Sequence, residues 1–255
     1  MPIDKVVGTY DEAVMDILAG ATIHFGGFAS PFNTPSYLIA ALARQGADEL
    51  TAVSTSAGTG VARARRLAEQ LGHLIDWPVD YFDLGLLAEL RRIRRMITSF
   101  PVGTARADVR PFEEQLARGE VEVEVIGQGS LAERIRCARA GIAAFYTPVG
   151  PGTDMAAGKE VREFDGVPHV LERALPADFA LIRAHQADRY GNLVFRGART
   201  FNQTMAGAAT ITIAEVDAVV PAGELRPEHI HTPGVYVQRV VERPARPVTT
   251  WEQPC

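Results

Sequence analysis

Residues 21–28 form a short apolar run interrupted by Gly26 and Gly27, and residues 49–54 form a second that ends in a cluster of small residues, Thr55, Ser56, Ala57 and Gly58. Short apolar runs bounded by turn residues predict buried strands. Between the two, Thr34 precedes Pro35, and Gly46 lies downstream. This order predicts a helix capped by Thr34, with proline in its first position and glycine past its end. Residues 95–100 and 121–126 predict two further strands, separated by a helix over 111–118 that Gly119 stops. After Gly127-Gln128-Gly129, Ser130 and Glu133 stand at the spacing of a capping box, which predicts a helix over 131–140 ended by Gly141. A strand over 142–149 follows. This alternation predicts an α/β fold: an open, mainly parallel sheet covered by helices.

The second half changes character. Residues 161–171 read as two strands about Asp165-Gly166, and residues 179–195 contain another turn at Tyr190-Gly191-Asn192, so antiparallel additions are expected in the C-terminal half. A short helix over 201–209 and a strand over 210–216 come next, and the Pro-rich segment after Arg243 predicts an extended tail. One domain over 1–243 and a tail over 244–255 account for the chain.

Hydrophobic residues make up 47% of the sequence and charged residues 22%, values of an ordinary globular protein. The formal net charge of −5 repels a nucleic-acid backbone, so no nucleic-acid partner is expected. Cys137 and Cys255 lie too far apart in sequence to suggest a disulfide framework or a zinc site. No signal peptide or membrane span is evident, which points to a reducing cytoplasm and no membrane partner.

Ligands of open parallel sheets bind beyond the carboxyl ends of the strands. Three segments qualify: Gly26-Gly27-Phe28, Ser54-Thr55-Ser56-Ala57-Gly58 and Gly127-Gln128-Gly129-Ser130. The Gln128 amide, flanked by glycines at a helix start, suits a carbonyl or carboxylate. A capped helix start with incidental glycines explains the same spacing equally well. Blander readings fit the other polar groups. The arginines Arg63, Arg65, Arg66, Arg91, Arg92, Arg94 and Arg95 read as a solvated face or subunit contact. Glu120, Glu122 and Glu124 read as a solvent-facing strand surface. His229 and His231 share a predicted strand face without a third metal ligand, and Cys137 is a packing residue in mid-helix.

Five stretches (121–136, VEVEVIGQGSLAERIR; 140–153, AGIAAFYTPVGPGT; 159–172, KEVREFDGVPHVLE; 178–197, DFALIRAHQADRYGNLVFRG; 229–237, HIHTPGVYV) occur in the order seen in one known family. In these, and over nearly its whole length, the chain resembles the A subunit of succinyl-CoA:3-ketoacid CoA-transferases, class I coenzyme A transferases. Gly26-Gly27-Phe28 matches the family's glycine loop, residues 50–54 its following strand, and 82–97 its next helix and strand. The resemblance implies an α/β subunit that pairs with a different B subunit, with the active site between them and an α2β2 hetero-oligomer as the assembly. It also implies transfer of CoA from an acyl-CoA to a short carboxylic or 3-oxo acid through a glutamyl-CoA thioester. The glutamate belongs to a Glu-Asn-Gly segment of the B subunit, and this chain has no such segment. No catalytic nucleophile is therefore expected here, and the CoA thioester enters as substrate, with no tightly bound cofactor or metal.

The site residues implied by the resemblance are Gly26, Gly27, Phe28, Ser54, Thr55, Gln128 and Gly129. Three departures matter. Thr55 stands where the family has an oxyanion-binding asparagine, and offers a shorter donor. The first loop reads Ala29-Ser30-Pro31-Phe32-Asn33-Thr34-Pro35 in place of a Gly-Leu-Cys-Gly-Ile-Pro-Glu run, and residues 59–81 look like an insertion. These departures keep two alternatives open: a subunit that hydrolyses or ring-opens a CoA thioester, and a non-catalytic ligand-binding assembly subunit.

Overall fold

The computed structural model describes residues 3–27, 31–72, 74, 78–103, 109–197, 199 and 201–253. The N-terminal half supplies Tyr10–Val14 (α1), Thr22–Phe25 (β1), Ser36–Gln45 (α2), Leu50–Ser56 (β2), Val61–Leu71 (α3), Gly85–Glu89 (α4), Ile93–Phe100 (β3), Pro111–Ala117 (α5), Glu122–Val125 (β4) and Gln128–Ala140 (α6). Then come Ala144–Thr147 (β5), Val161–Phe164 (β6), Val167–Arg173 (β7), Ala177–Asp188 (β8), Leu193–Val194 (β9), Asn202–Met205 (α7), Ala209–Val220 (β10) and Arg239–Glu242 (β11). The large sheet runs β11-β10-β8-β1-β2-β3-β4 with every neighbouring pair parallel. β9 pairs antiparallel with the end of β8, and β5-β7-β6 is a separate antiparallel sheet.

Both faces of the large sheet are covered, which is why its strands read as near-continuous apolar runs. Ile23, Phe25, Ala52, Met96 and Leu181 pack on one side with α1, α2 and α4. Val53, Ile97, Ile182 and Val216 pack on the other with Leu131 and Ile135 of α6 and Met205 of α7. Successive strand residues thus serve opposite clusters, as a side-chain period of two requires. Among the described residues no helix is long and apolar enough to cross a membrane.

The chain moves outward from β1 to β4, then returns to lay β8 on the other side of β1. All carboxyl ends of the parallel strands therefore face one rim, and the connections reverse direction between β1 and β8. That junction is filled. A Cβ on Gly26 would lie 1.9 Å from Asn202 Oδ1 and 3.2 Å from Ile182 Cα, so glycine alone fits. Asn202 Oδ1 accepts from Arg183 N, and its amide donates to Asn33 O, both at 2.9 Å.

Several expectations are corrected. The strand expected over 142–149 leaves the parallel sheet: β5 pairs antiparallel with β7, Ala144 opposite Arg173. Ala174 N donates to Ala143 O (2.9 Å) and Arg134 Nε to Arg173 O (2.8 Å), which ties the chain after α6 to the end of β7 rather than to β4. The turns at Asp165-Gly166 and Tyr190-Gly191-Asn192 form the antiparallel pairs expected, β6 with β7 and β8 with β9, while the rest of β8 and all of β10 and β11 run parallel to β1. Thr34 does not cap α2. Pro35 holds the cap position, and the buried Glu215 accepts from Tyr37 N at 2.9 Å and Leu38 N at 3.2 Å instead. The capping box is also absent: α6 begins at Gln128 after Gly127, and Glu133 is held through both carboxylate oxygens by Arg136. His229 lies in a 3-10 turn rather than a strand, and His231 Nδ1 accepts from Phe195 N at 2.9 Å. Beyond Arg243 the chain lies against α2, where Val248 N donates to Tyr37 Oη (2.9 Å) and Arg44 to Trp251 O (2.8 Å).

Candidate functional site

The carboxyl ends of β1, β2 and β3 open onto a cavity of about 390 Å³, a size typical of small-molecule sites. Gly26 and Gly27 line it after β1, Ser54, Thr55 and Ser56 at the end of β2, and Gly58 and Thr59 in the following loop. Tyr81, Asp83 and Arg110 complete its polar lining over apolar surface from Phe25, Ile39 and Leu84. Thr55 is 4% exposed, so the end of β2 presents a hydroxyl from within the core.

Local chemistry shapes each wall. Gly27 adopts φ +117, and a Cβ there would approach Thr34 Oγ1 to 2.9 Å. The loop after β2 turns through Gly58 and Gly60, both at φ +82, and a Cβ on Gly58 would lie 2.2 Å from Gly85 N. Asp83 fastens this loop. Its Oδ2 accepts from Thr59 N (2.7 Å), Thr59 Oγ1 (2.5 Å) and Tyr81 Oη (3.2 Å), and its Oδ1 from Gly60 N (3.1 Å) and Gly85 N (2.9 Å). Both carboxylate oxygens are thereby consumed in holding the backbone. Burial, reinforced by Asp83, pushes the Tyr81 phenol well above its ordinary value and keeps it protonated.

A charged network buttresses the wall formed by α2. Arg243 contacts Glu215, pairs with Asp80 at 2.5 Å, and stands 4.5 Å above the Tyr37 ring, while Tyr37 Oη donates to Asp80 at 2.6 Å. Burial opposes the charge on Arg243, but Glu215 and Asp80 outweigh it and raise the pKa above its usual value.

Of the residues expected at the site, the cavity gathers Gly26, Gly27, Ser54 and Thr55. Phe28 lies outside the described residues. Gln128 and Gly129 stand apart from the cavity lining, on the first turn of α6 beyond the edge strand β4. β4 is two strands from β2, about 10 Å across the sheet. Sequence reasoning did not single out Asp83, Tyr81 or Arg110. Only Asp83 left a signal, an Asp two residues before a glycine at a helix start, and Arg110 before Pro111 left none.

The other polar residues have structural partners. Arg91 pairs with Glu120, Arg94 with Glu122 (3.6 Å), and Arg95 with Glu124 (2.9 Å), so the glutamates before and along β4 are neutralised by arginines around β3. Burial alone would raise the Glu124 pKa, but its bond from Arg134 holds it low. Cys137 is buried in α6, which pushes its thiol up. Among the described residues no three His, Cys, Asp or Glu converge as metal ligands.

Known proteins share both the sequence and this architecture. Residues 7–243 match the family described as coenzyme A transferase. The chain is 45% identical over 242 residues to the A subunit of the 3-oxoadipate CoA-transferase of Pseudomonas putida, covering 94% of each chain. It is 42% identical over 238 residues to the A subunit of the succinyl-CoA:3-ketoacid coenzyme A transferase of Helicobacter pylori, covering 93% of this chain and 91% of that one. Among solved structures, an acyl-CoA transferase apoenzyme from Escherichia coli O157:H7 superposes with a TM-score of 0.77 at 20% identity, covering 98% of this chain and 48% of that one. The glutaconate coenzyme A-transferase of Acidaminococcus fermentans gives a TM-score of 0.75 at 20% identity, covering 94% and 76%. These two likenesses establish the fold, and the sequence relationships over nearly full length establish the lineage: the chain belongs to the coenzyme A transferase family.

Proposed function

We propose that the chain is the A subunit of a two-subunit coenzyme A transferase that acts on an acyl-CoA and a short carboxylic or 3-oxo acid, with the attacking glutamate supplied by a B subunit. The observation that carries this reading is the chemistry of the cavity. Asp83, which supplies its carboxylate, already accepts five hydrogen bonds, and no cysteine, lysine, histidine or glutamate lines the cavity among the described residues. Walls and donors without a free nucleophile make half of a covalent-catalysis site. The names of the two bacterial relatives, each an A subunit of its enzyme, support the presence of a partner subunit.

In this reading the partner's glutamate carboxylate attacks the thioester carbonyl, expelling CoA thiolate and leaving an acyl-glutamyl anhydride. The thiolate then attacks the glutamyl carbonyl, giving glutamyl-CoA and releasing the first acid. An acceptor carboxylate repeats both steps in reverse, so neither water nor a redox partner is consumed. Each tetrahedral species needs a donor for its oxyanion, a contact whose loss typically costs about 10²–10³ in rate. Thr55, at the end of β2, provides it. Gly26, Gly27 and Ser54 form the acyl wall. Gln128 and Gly129 belong to an outer wall that the B subunit completes in an α2β2 assembly.

The test mixes the chain with a B-type partner carrying the Glu-Asn-Gly segment and supplies acyl-CoA. A glutamyl-CoA adduct on the partner, by mass, and formation of a new acyl-CoA only after a carboxylate is added are expected. Steady release of CoA without any acceptor assigns hydrolysis instead, and the absence of both adduct and turnover removes the enzymatic reading.

A further inference from the structure

Arg110 is the cation lining the cavity among the described residues, and its surroundings leave it short of partners. Its side chain is 15% exposed, and its Nε is buried without a hydrogen bond. Nη1 reaches Gly58 O at 3.5 Å, the outer limit of such a contact, and Glu113 Oε1 stands 3.7 Å from Nε. That glutamate oxygen already accepts from Gly103 N at 2.5 Å. Asp83 is consumed by the loop it fastens. Glu113 balances the charge only through that long ion pair, so the guanidinium keeps donors free, and its planar fork fits a carboxylate through two parallel bonds.

We propose that Arg110 is a specificity-determining residue that binds a carboxylate carried by the acid substrate away from its reacting end, so that the cleft favours a dicarboxylic over a monocarboxylic acyl group. The inference rests on the transferase reading above and deepens it. Arg110 approaches from the wall made by residues 58–60 and the start of α5: a Cβ on Gly60 would come within 3.1 Å of Pro111. The acyl wall at Gly26, Gly27 and Thr55 belongs to other elements. A cation on the reacting carboxylate would also work against the reaction, because it stabilises a charge that disappears when the neutral thioester forms. A remote carboxylate keeps its charge throughout, so the contact survives every step. A depth of 15% exposure within a cavity of about 390 Å³ suits an acyl group rather than the bulky phosphates of CoA.

The experiment uses the reconstituted two-subunit complex with Arg110→Gln, and with Arg110→Lys as a variant that keeps the charge but loses the fork. Succinate and butyrate, acids of equal carbon number, are compared as acceptors through the ratio of their kcat/KM values. In Arg110→Gln the ratio favouring succinate should fall roughly 10–100-fold, and in Arg110→Lys by less. A ratio that moves less than threefold overturns the proposal, as does a loss expressed only in the KM for the CoA thioester. Thermal unfolding of the same complexes with succinate or butyrate alone gives a readout that needs no turnover. Succinate should raise Tm in the wild type by more than in either variant, and equal shifts overturn the proposal even if transfer itself is never observed. Should Arg110→Gln fail to fold, Arg110→Lys carries both comparisons.

Discussion

His24 occupies the middle of β1 with no exposed surface, and burial pushes its pKa down to about 4. In the unfolded chain the imidazole returns to an ordinary value near 6.5. Between those two pH values the unfolded state binds more protons, so this group makes folding less favourable as pH falls from about 6.5 towards 4 and contributes nothing above that window. Between pH 7 and pH 5 the loss attributable to His24 should be about 2 kcal/mol. Urea midpoints at the two pH values measure it: His24→Leu should flatten the difference, and an unchanged slope would assign it to other groups. The residue scale is also where site reading was least complete. Gly26 and Thr55 were legible because strand ends and glycine turns are local patterns. Arg110 was not, because its meaning depends on Gly58, Gly103 and Glu113 meeting around it in space.

Among the elements, α2 shows how a boundary can be right in place and wrong in cause. Gly46 at φ +91 closes it as the sequence indicates, and Gly141 does the same for α6. The start of α2 depends on Glu215, 178 residues away, which satisfies two first-turn N–H groups while contacting Arg243. Local propensity carries no trace of such a borrowed cap, and Thr34 was its misleading substitute. Glu215→Ala removes the acceptor and leaves the Arg243 charge with Asp80 and the more distant Asp217, which should cost about 3–5 kcal/mol. Glu215→Gln keeps an acceptor and should cost less. Denaturant midpoints order the two, and equal stability of both variants with the parent would show that solvent replaces the carboxylate. β5 follows the same logic: its apolar pattern declared a strand, but Arg134 and the backbone link from Ala174 to Ala143 chose its sheet.

At the scale of the whole molecule, this chain supplies the glycine turns, the Thr55 hydroxyl and Arg110 to the cavity, while the attacking group in the proposed reaction comes from another chain. Recognition and chemistry should therefore separate. The isolated chain should show a Tm that rises with millimolar succinate and no release of CoA from acyl-CoA, whereas the two-subunit complex should show both binding and turnover. Unaided turnover by the single chain would contradict the division. The helix-covered parallel sheet was evident from uninterrupted apolar strands, which both-sided burial demands. The strand order was not, because the placement of β8 beside β1 is decided by contacts between residues more than 150 positions apart, Ile23 against Phe179 among them.

The filled seam between β1 and β8 has a bearing on how this protein can be altered. Asn202 occupies the space that any larger residue at 26 would need, and is itself pinned by Arg183 and Asn33. A change on either side must be matched by the other, which makes that margin of the cleft a poor target for redesign. At the opposite margin Asp83 and the close glycines hold the loop just as tightly, but the Arg110 side chain has only its contacts to Gly58 O and Glu113, so new substrate preferences are best sought by exchanging that one side chain.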